Sequence, residues 1–185
     1  MKKLVTVLII LAVLAAVAVM VVDDIQKYFY PCEFSEIVGR YSQEFGVEEA
    51  LVYAIMRAES TFDPNAESRV GAKGLMQLMP DTRDWLSRLM GESAPDPDIT
   101  NPESNIKYGV YYLRHLYDRF GNWETAIAAY NAGHGRVSKW LADPQYSSDG
   151  VTLKHIPIGE TNNYVNKVMA NYNTYKKLYY NGDNE

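Results

Sequence analysis

The chain has 185 residues, of which 47% are hydrophobic and 12% aromatic, and its formal net charge is -5. That is enough apolar material for one sizeable core, in a chain too short for two full domains. The negative balance, with no basic stripe, excludes a general nucleic-acid binder, and the single cysteine, Cys32, excludes an intrachain disulfide.

The N-terminus sets the compartment. Met1-Lys2-Lys3 precedes Leu4 to Val22, 19 residues without a charge, and Asp23-Asp24 closes the run. Such a run is long enough to span hydrocarbon as a helix and longer than a signal-peptide core of about 7 to 15 residues, so residues 1–22 read as a transmembrane anchor. Lysines before the span and aspartates after it place the N-terminus in the cytoplasm and the rest outside. Ala16-Val17-Ala18 leaves cleavage as a secretory signal open; either way the remainder is exported. Residues 23–33 form a juxtamembrane connector whose Tyr28, Phe29 and Tyr30 suit a membrane interface or pad the domain equally well. Cys32 reads as a half-buried structural thiol.

The globular part is assigned to residues 34–180, with a tail at 181–185. Phe34, Ile37, Val38, Tyr41 and Phe45 recur at three- and four-residue steps, predicting a packing helix that stops at Gly46. The next helix, Val47 to about Ser60, carries Val47, Leu51, Ala54, Ile55 and Ala58 on one face, and Glu59 falls at the flank of that stripe. Asp63-Pro64 is expected to end this helix. A glycine-bearing loop follows, in which Gly71 and Gly74 allow close backbone approach, and Gln77 sits among Leu75, Met76, Leu78 and Met79. If buried, the Gln77 amide must find partners, loop backbone among them.

Asp81 to Met90 reads as a short helix capped by Asp81, and Gly91 to Thr100, with Pro95 and Pro97, as a connector. Asn101-Pro102 opens a long helix that stops at Gly121, and Asn122 caps another from Trp123 to Ala132. Val137 to Leu141 adds a helical turn, and Glu160-Thr161 begins a last helix through Tyr164, Val165, Val168, Met169, Tyr172 and Tyr175. A short strand around Val151 to Ile156 is compatible with the pattern. The fold class is all-α.

Several motifs occur in a fixed order: Glu59-Ser60 with Asp63-Pro64, Ala66, Ser68 and Gly71-Ala72; Gly74-Leu75-Met76-Gln77 through Pro80; Gly109 with Tyr112-Leu113; Ala129-Tyr130-Asn131-Ala132-Gly133; and Ile156-Pro157 with Glu160-Thr161 and Tyr164-Val165. Together they make the chain resemble the catalytic domain of lytic transglycosylases of the soluble-lytic-transglycosylase type, in the lysozyme-like superfamily. The resemblance implies a lysozyme-like helical domain acting on peptidoglycan glycan strands, with Glu59 as sole catalytic acid and base. It further implies that Ser68, Gln77, Met79, Tyr112, Tyr130 and Asn131 line the glycan cleft. His134 stands where many relatives carry proline. His115, His134 and His155 lack any ligand spacing, so neither a metal nor another cofactor is expected.

The residues support the same chemistry. A glycosidic bond needs an acid for its leaving oxygen, and a glutamate among apolar groups holds a proton near neutral pH. Most glycosidases add a second carboxylate, but Asp63 and Asp81 are accounted for as helix stop and helix cap. By the resemblance, the 6-hydroxyl of N-acetylmuramic acid completes the reaction and leaves a 1,6-anhydro product. A goose-type lysozyme-like hydrolase and a non-catalytic glycan-binding scaffold remain the alternatives.

Overall fold

A computed structural model describes residues 2–92 and 98–180. Pro95 and Pro97 of the expected connector, and the tail at 181–185, lie outside the described residues. The described residues form helices joined by loops, with only isolated bridges between extended residues. The helices are α1 (Lys2–Phe29), α2 (Ser35–Phe45), α3 (Glu49–Glu59), α4 (Pro80–Leu89), α5 (Pro102–Phe120), α6 (Trp123–Ala132), α7 (His134–Leu141) and α8 (Gly159–Tyr175). A π-helical turn, Lys176–Tyr180, extends α8.

Helix α3 is the hub. Every residue from Ala50 to Met56 is buried, more than the single stripe expected from the sequence, because α2, α8 and the loop after α3 cover it on several sides. A helix apolar on all faces is stable only when surrounded in this way. It packs chiefly on α8, while α5 packs on α2 and α6. The core runs from Val38 through α3 to Ile106, Leu113, Ile127 and Val168, all fully buried.

Most of the expected boundaries are present. Gly46 and Gly121 end α2 and α5 in the left-handed region, at φ 64° and 69°, which costs a residue without a Cβ little. The Asn101 side chain accepts from Ser104 N at 3.2 Å and that of Asn122 from Thr125 N at 3.0 Å, each satisfying an otherwise orphaned amide.

Three expectations need correction. Pro80, one residue before the expected start at Asp81, begins α4, because its preset φ and missing N–H suit the first helical position. Met79 is therefore the N-cap, without a side-chain bond, and Asp81 lies in the first turn instead of capping it. Helix α3 stops at Glu59, before Asp63-Pro64: Thr61 and Phe62 turn into the left-handed region at φ 52° and 66°. Ser60 holds that turn, its hydroxyl lying 2.8 Å from the Leu75 carbonyl. At 151–156 there is no strand but one bridge, Ser147 to Leu153. The Asp149 carboxylate accepts from the amides of Val151 and Thr152 at 2.8 and 2.7 Å, taking donors that a ladder would need.

The end of α1 is built into the domain. Arg57 lies 4.1 Å over the Tyr30 ring and donates to the Phe29 carbonyl. Tyr175 donates to Pro31 O at 3.0 Å and Tyr179 to Tyr30 O at 2.8 Å. Many side chains in the earlier part of α1 lie outside what is described. Among the described residues, no helix is long and apolar enough to cross a membrane.

Candidate active site

Glu59 is the last residue of α3, where the helix end points its side chain toward α8 and α6. Tyr164, one turn into α8, donates its hydroxyl to Glu59 Oε1 at 2.6 Å. Burial pushes the Glu59 carboxyl up from 4.5 to about 7, while the Tyr164 hydroxyl and the charge of Lys167 pull the other way. Desolvation prevails because one hydrogen bond and one nearby cation replace less than a full hydration shell. Lys167 is fixed beside the acid by donating to Ala58 O at 2.8 Å. No second carboxylate is among the groups that shift Glu59.

Tyr130, near the end of α6, closes another side. Burial first, and the Glu59 charge second, hold its hydroxyl well above its ordinary value, so it stays a neutral donor. That hydroxyl donates to Met76 O at 2.8 Å, tying α6 to the loop between α3 and α4. The Tyr112 ring of α5 lies 5.2 Å from that of Tyr130, tilted by 42°. Glu59, Tyr164, Tyr130 and Tyr112 thus come from four helices to one place.

The loop from Ala66 to Leu78 is folded on itself. Gly74 N donates to Ala66 O at 2.9 Å, Ser68 N to Ala72 O at 2.9 Å, and Lys73 and Leu78 exchange two bonds at 3.0 Å. Gln77, at φ 49°, spends its amide group inside this loop, Nε2 donating to Ala66 O at 3.0 Å and Gly74 O at 2.9 Å. Only its Oε1 is left to meet a ligand. Ser68 Oγ likewise accepts from Ala72 N at 3.0 Å. Met79 keeps 39% of its surface exposed beside this loop. Asn131 is exposed on the other flank, its Oδ1 accepting from Thr161 Oγ1 at 2.8 Å, so it joins α6 to α8. Among the described residues, no three His, Cys, Asp or Glu side chains gather as metal ligands would.

Sequence reasoning passed over two positioning residues. Tyr164 orients the acid, and its only signal is its place in the Glu160-Thr161-x-x-Tyr164 run. Asn105 is fully buried and holds the loop: its Oδ1 accepts from Met76 N at 2.8 Å, and its Nδ2 donates to Lys73 O at 2.9 Å and Ile99 O at 2.8 Å. An asparagine on the apolar face of α5, beside Ile106 and one turn before Gly109, was the clue. Gly74 and Gly109 make the loop's close approach to α5 possible. A Cβ on Gly74 would come 2.3 Å from Asn105 Nδ2, and one on Gly109 would come 2.3 Å from Met76 Sδ.

Residues 36–152, well over half of the chain, match the family described as "Transglycosylase SLT domain". The chain belongs to the SLT transglycosylase family. Over 178 residues, 94% of its length, it is 37% identical to the soluble lytic murein transglycosylase of Escherichia coli K12, of which it spans 27%. It is 30% identical, over 78% of its length, to the membrane-bound lytic murein transglycosylase C of Pectobacterium atrosepticum, of which it spans 47%. The SLT chain therefore covers between about a quarter and a half of these relatives. Among solved structures, it superposes with a TM-score of 0.72 and 37% identity on an inactive Glu→Gln mutant of the lytic transglycosylase Slt from Pseudomonas aeruginosa, over 80% of this chain and 24% of that one. It also superposes on the 70 kDa soluble lytic transglycosylase complexed with bulgecin A, with a TM-score of 0.74 and 31% identity, over 83% of this chain and 25% of that one. The fold is thus shared with these two solved structures over the matched part.

Proposed function

We propose that this protein is a peptidoglycan lytic transglycosylase that cleaves the β-1,4 bond between N-acetylmuramic acid and N-acetylglucosamine and leaves a 1,6-anhydro end. The observation that carries the reading is a single carboxyl held up to about 7 by burial, hydrogen-bonded to a tyrosine, with no second carboxylate acting on it. Such a group retains a proton near neutral pH and can also take one back, which suits an acid that becomes a base within one turnover.

Protonated Glu59 donates to the glycosidic oxygen of the leaving N-acetylglucosamine as the bond to the anomeric carbon breaks. The 2-acetamido carbonyl covers the developing charge at that carbon. The Glu59 carboxylate then takes the proton of the muramyl 6-hydroxyl while that oxygen bonds to the anomeric carbon. One bond breaks, one forms, the proton returns to Glu59, and no water is consumed. Tyr164 steadies the carboxylate between the two transfers, and Lys167 offsets part of its charge. Gln77 Oε1 and the exposed thioether of Met79 face the glycan from the loop, Tyr130 and Tyr112 from α6 and α5, and Ser68 and Asn131 flank them. The names of the similar proteins, lytic murein transglycosylases, support this substrate, and the inactive Glu→Gln mutant of the Pseudomonas relative supports dependence on one acid.

The uncharged run Leu4 to Val22 further supports a single-pass anchor with the catalytic domain outside the cytoplasm. Digestion of purified murein, read by mass spectrometry, tests the reaction. The expected products carry anhydro ends with the natural protein and vanish with Glu59→Gln. Reducing ends would show a hydrolase, and equal release by both proteins would remove Glu59 from the chemistry.

A further inference from the structure

Tyr112 also borders a group of side chains of which the others have no place in the reaction above. An open space of about 290 Å3 is lined by Asp81, Thr82 and Trp85 of α4, Tyr112 of α5 and His134 at the start of α7. Tyr112 is shared between this space and the surroundings of the acid, since its ring also lies 5.2 Å from that of Tyr130.

The Trp85 indole is braced. Tyr112 and His115 both stand perpendicular to it, at 89° and 87°, with centroids 6.1 and 5.1 Å away. Burial, and after it the neighbouring His134 and Arg119, hold His115 below its ordinary value, with Asp118 opposing them, so the brace stays neutral at neutral pH. His134 lies nearly parallel to the indole, at 29°, but its centroid is 6.3 Å away. The Tyr117–Trp123 pair in the same molecule, tilted by 23°, stacks at 4.0 Å. The His134 side therefore lacks a closed stack: a rigid indole faces an exposed imidazole on the first turn of a helix.

An indole face meets the C–H face of a pyranose ring well, and its polar surroundings here match the ring's edges. Asp81 is exposed, with no ion pair among the described residues, and Thr82 lines the same space. A carboxylate and a hydroxyl at the border of an aromatic face suit sugar hydroxyls and acetamido N–H groups, and orient a ring without adding charge chemistry. Pocket chemistry of this kind favours a saccharide over the cationic end of a stem peptide, because its largest element is the apolar indole and not the lone carboxylate.

We propose that Trp85 and His134 form a saccharide subsite remote from the scissile bond, in which one hexosamine ring of the strand lies on the indole under His134, with its hydroxyls on Asp81 and Thr82. This rests on the glycan-cleaving reading, and its role is to hold longer strands. His134 moves outward to admit the ring and then covers it. Trp85 acts on binding and takes no part in proton transfer.

The test uses the full chain carrying Glu59→Gln, titrated calorimetrically with the N-acetylglucosamine hexamer. Trp85→Ala is expected to raise the dissociation constant about tenfold, the loss of one aromatic stacking contact, and Trp85→Phe to restore most of it. His134→Ala, on the surface and harmless to the core, is expected to weaken the hexamer about threefold, the smaller share of the same stacking. In proteins that keep Glu59, digestion of long peptide-free glycan strands should show the Trp85→Ala loss in KM, with kcat affected far less. Hexamer affinities that match the parent in both the Trp85→Ala and His134→Ala proteins would overturn the subsite. So would a loss confined to kcat. If the hexamer pattern holds but the natural protein releases no anhydro ends, the subsite stands and the proposed reaction fails.

Discussion

Replacing Glu59 with glutamine tests the buried acid by stability as well as by turnover. The folded carboxyl titrates near about 7 against 4.5 when exposed, and each unit corresponds to about 1.4 kcal/mol, so ionising Glu59 costs the folded protein about 3 kcal/mol. Between those two values the folded state keeps a proton that the unfolded chain has lost. Stability contributed by the neutral carboxyl is therefore complete below 4.5, falls as the pH rises, and is gone above about 7. Glutamine has the same shape, still offers an oxygen to the Tyr164 hydroxyl, and does not ionise. The two proteins should thus melt alike at about pH 4, and the variant should be favoured by about 3 kcal/mol at about pH 8. For a chain of this size that corresponds to about 6 to 12 °C in Tm. Thermal melts of both full chains in the same detergent and salt, at the two pH values, give the comparison. A Tm difference that is constant across them would refute the desolvated-acid argument, whatever the variant does to activity.

Three further perturbations follow from the same contacts. Activity should decline as the pH rises through about 7, where Glu59 loses the proton that the proposed mechanism has it donate, and Tyr164→Phe should move that limb to higher pH by removing a hydrogen bond that favours the carboxylate; a pH-rate profile unchanged in the variant would argue against it. Asn105→Ala leaves the Met76 amide and the Lys73 and Ile99 carbonyls without their partner, and urea unfolding should show a loss of about 3 kcal/mol. Gly109→Ala drives a Cβ to 2.3 Å from Met76 Sδ and should cost about 1–3 kcal/mol by overpacking. Met76 cannot retreat freely, since its amide and carbonyl are held by Asn105 and Tyr130, so activity should fall along with stability.

Helices with both ends marked were legible in the sequence. Asn101-Pro102 and Gly121 bracket α5, and Asn122 opens α6, because capping chemistry is local and carried by one or two side chains. The half-buried edge position of Glu59 at the end of α3 was legible from local periodicity, though the burial of the helix on every side was not. What covers that edge was not: Tyr164 reaches it from 105 residues away, and periodicity does not say which helix lies opposite. The role of Gln77 was legible only as a requirement for partners. Its left-handed backbone and its two bonds into the loop follow from the closure of Ala66 to Leu78, a tertiary event. The misread start of α4 has a local cause, since Asp81 fits both a cap and a first-turn position, and with Pro80 at the first helical position it takes the second.

The clamp on the end of α1 bears on where the domain can be cut. Tyr30 and Pro31 offer their carbonyls to Tyr179 and Tyr175, and the Tyr30 ring fills the space between Arg57 and Tyr175. A truncation beginning at Phe34 would strip a lid from Tyr175 and Tyr179 and leave the guanidinium two residues before Glu59 without its ring. The shortest self-sufficient piece of this chain therefore begins with the last turn of its first helix, and a protease that released the domain intact would have to cut before Gln26.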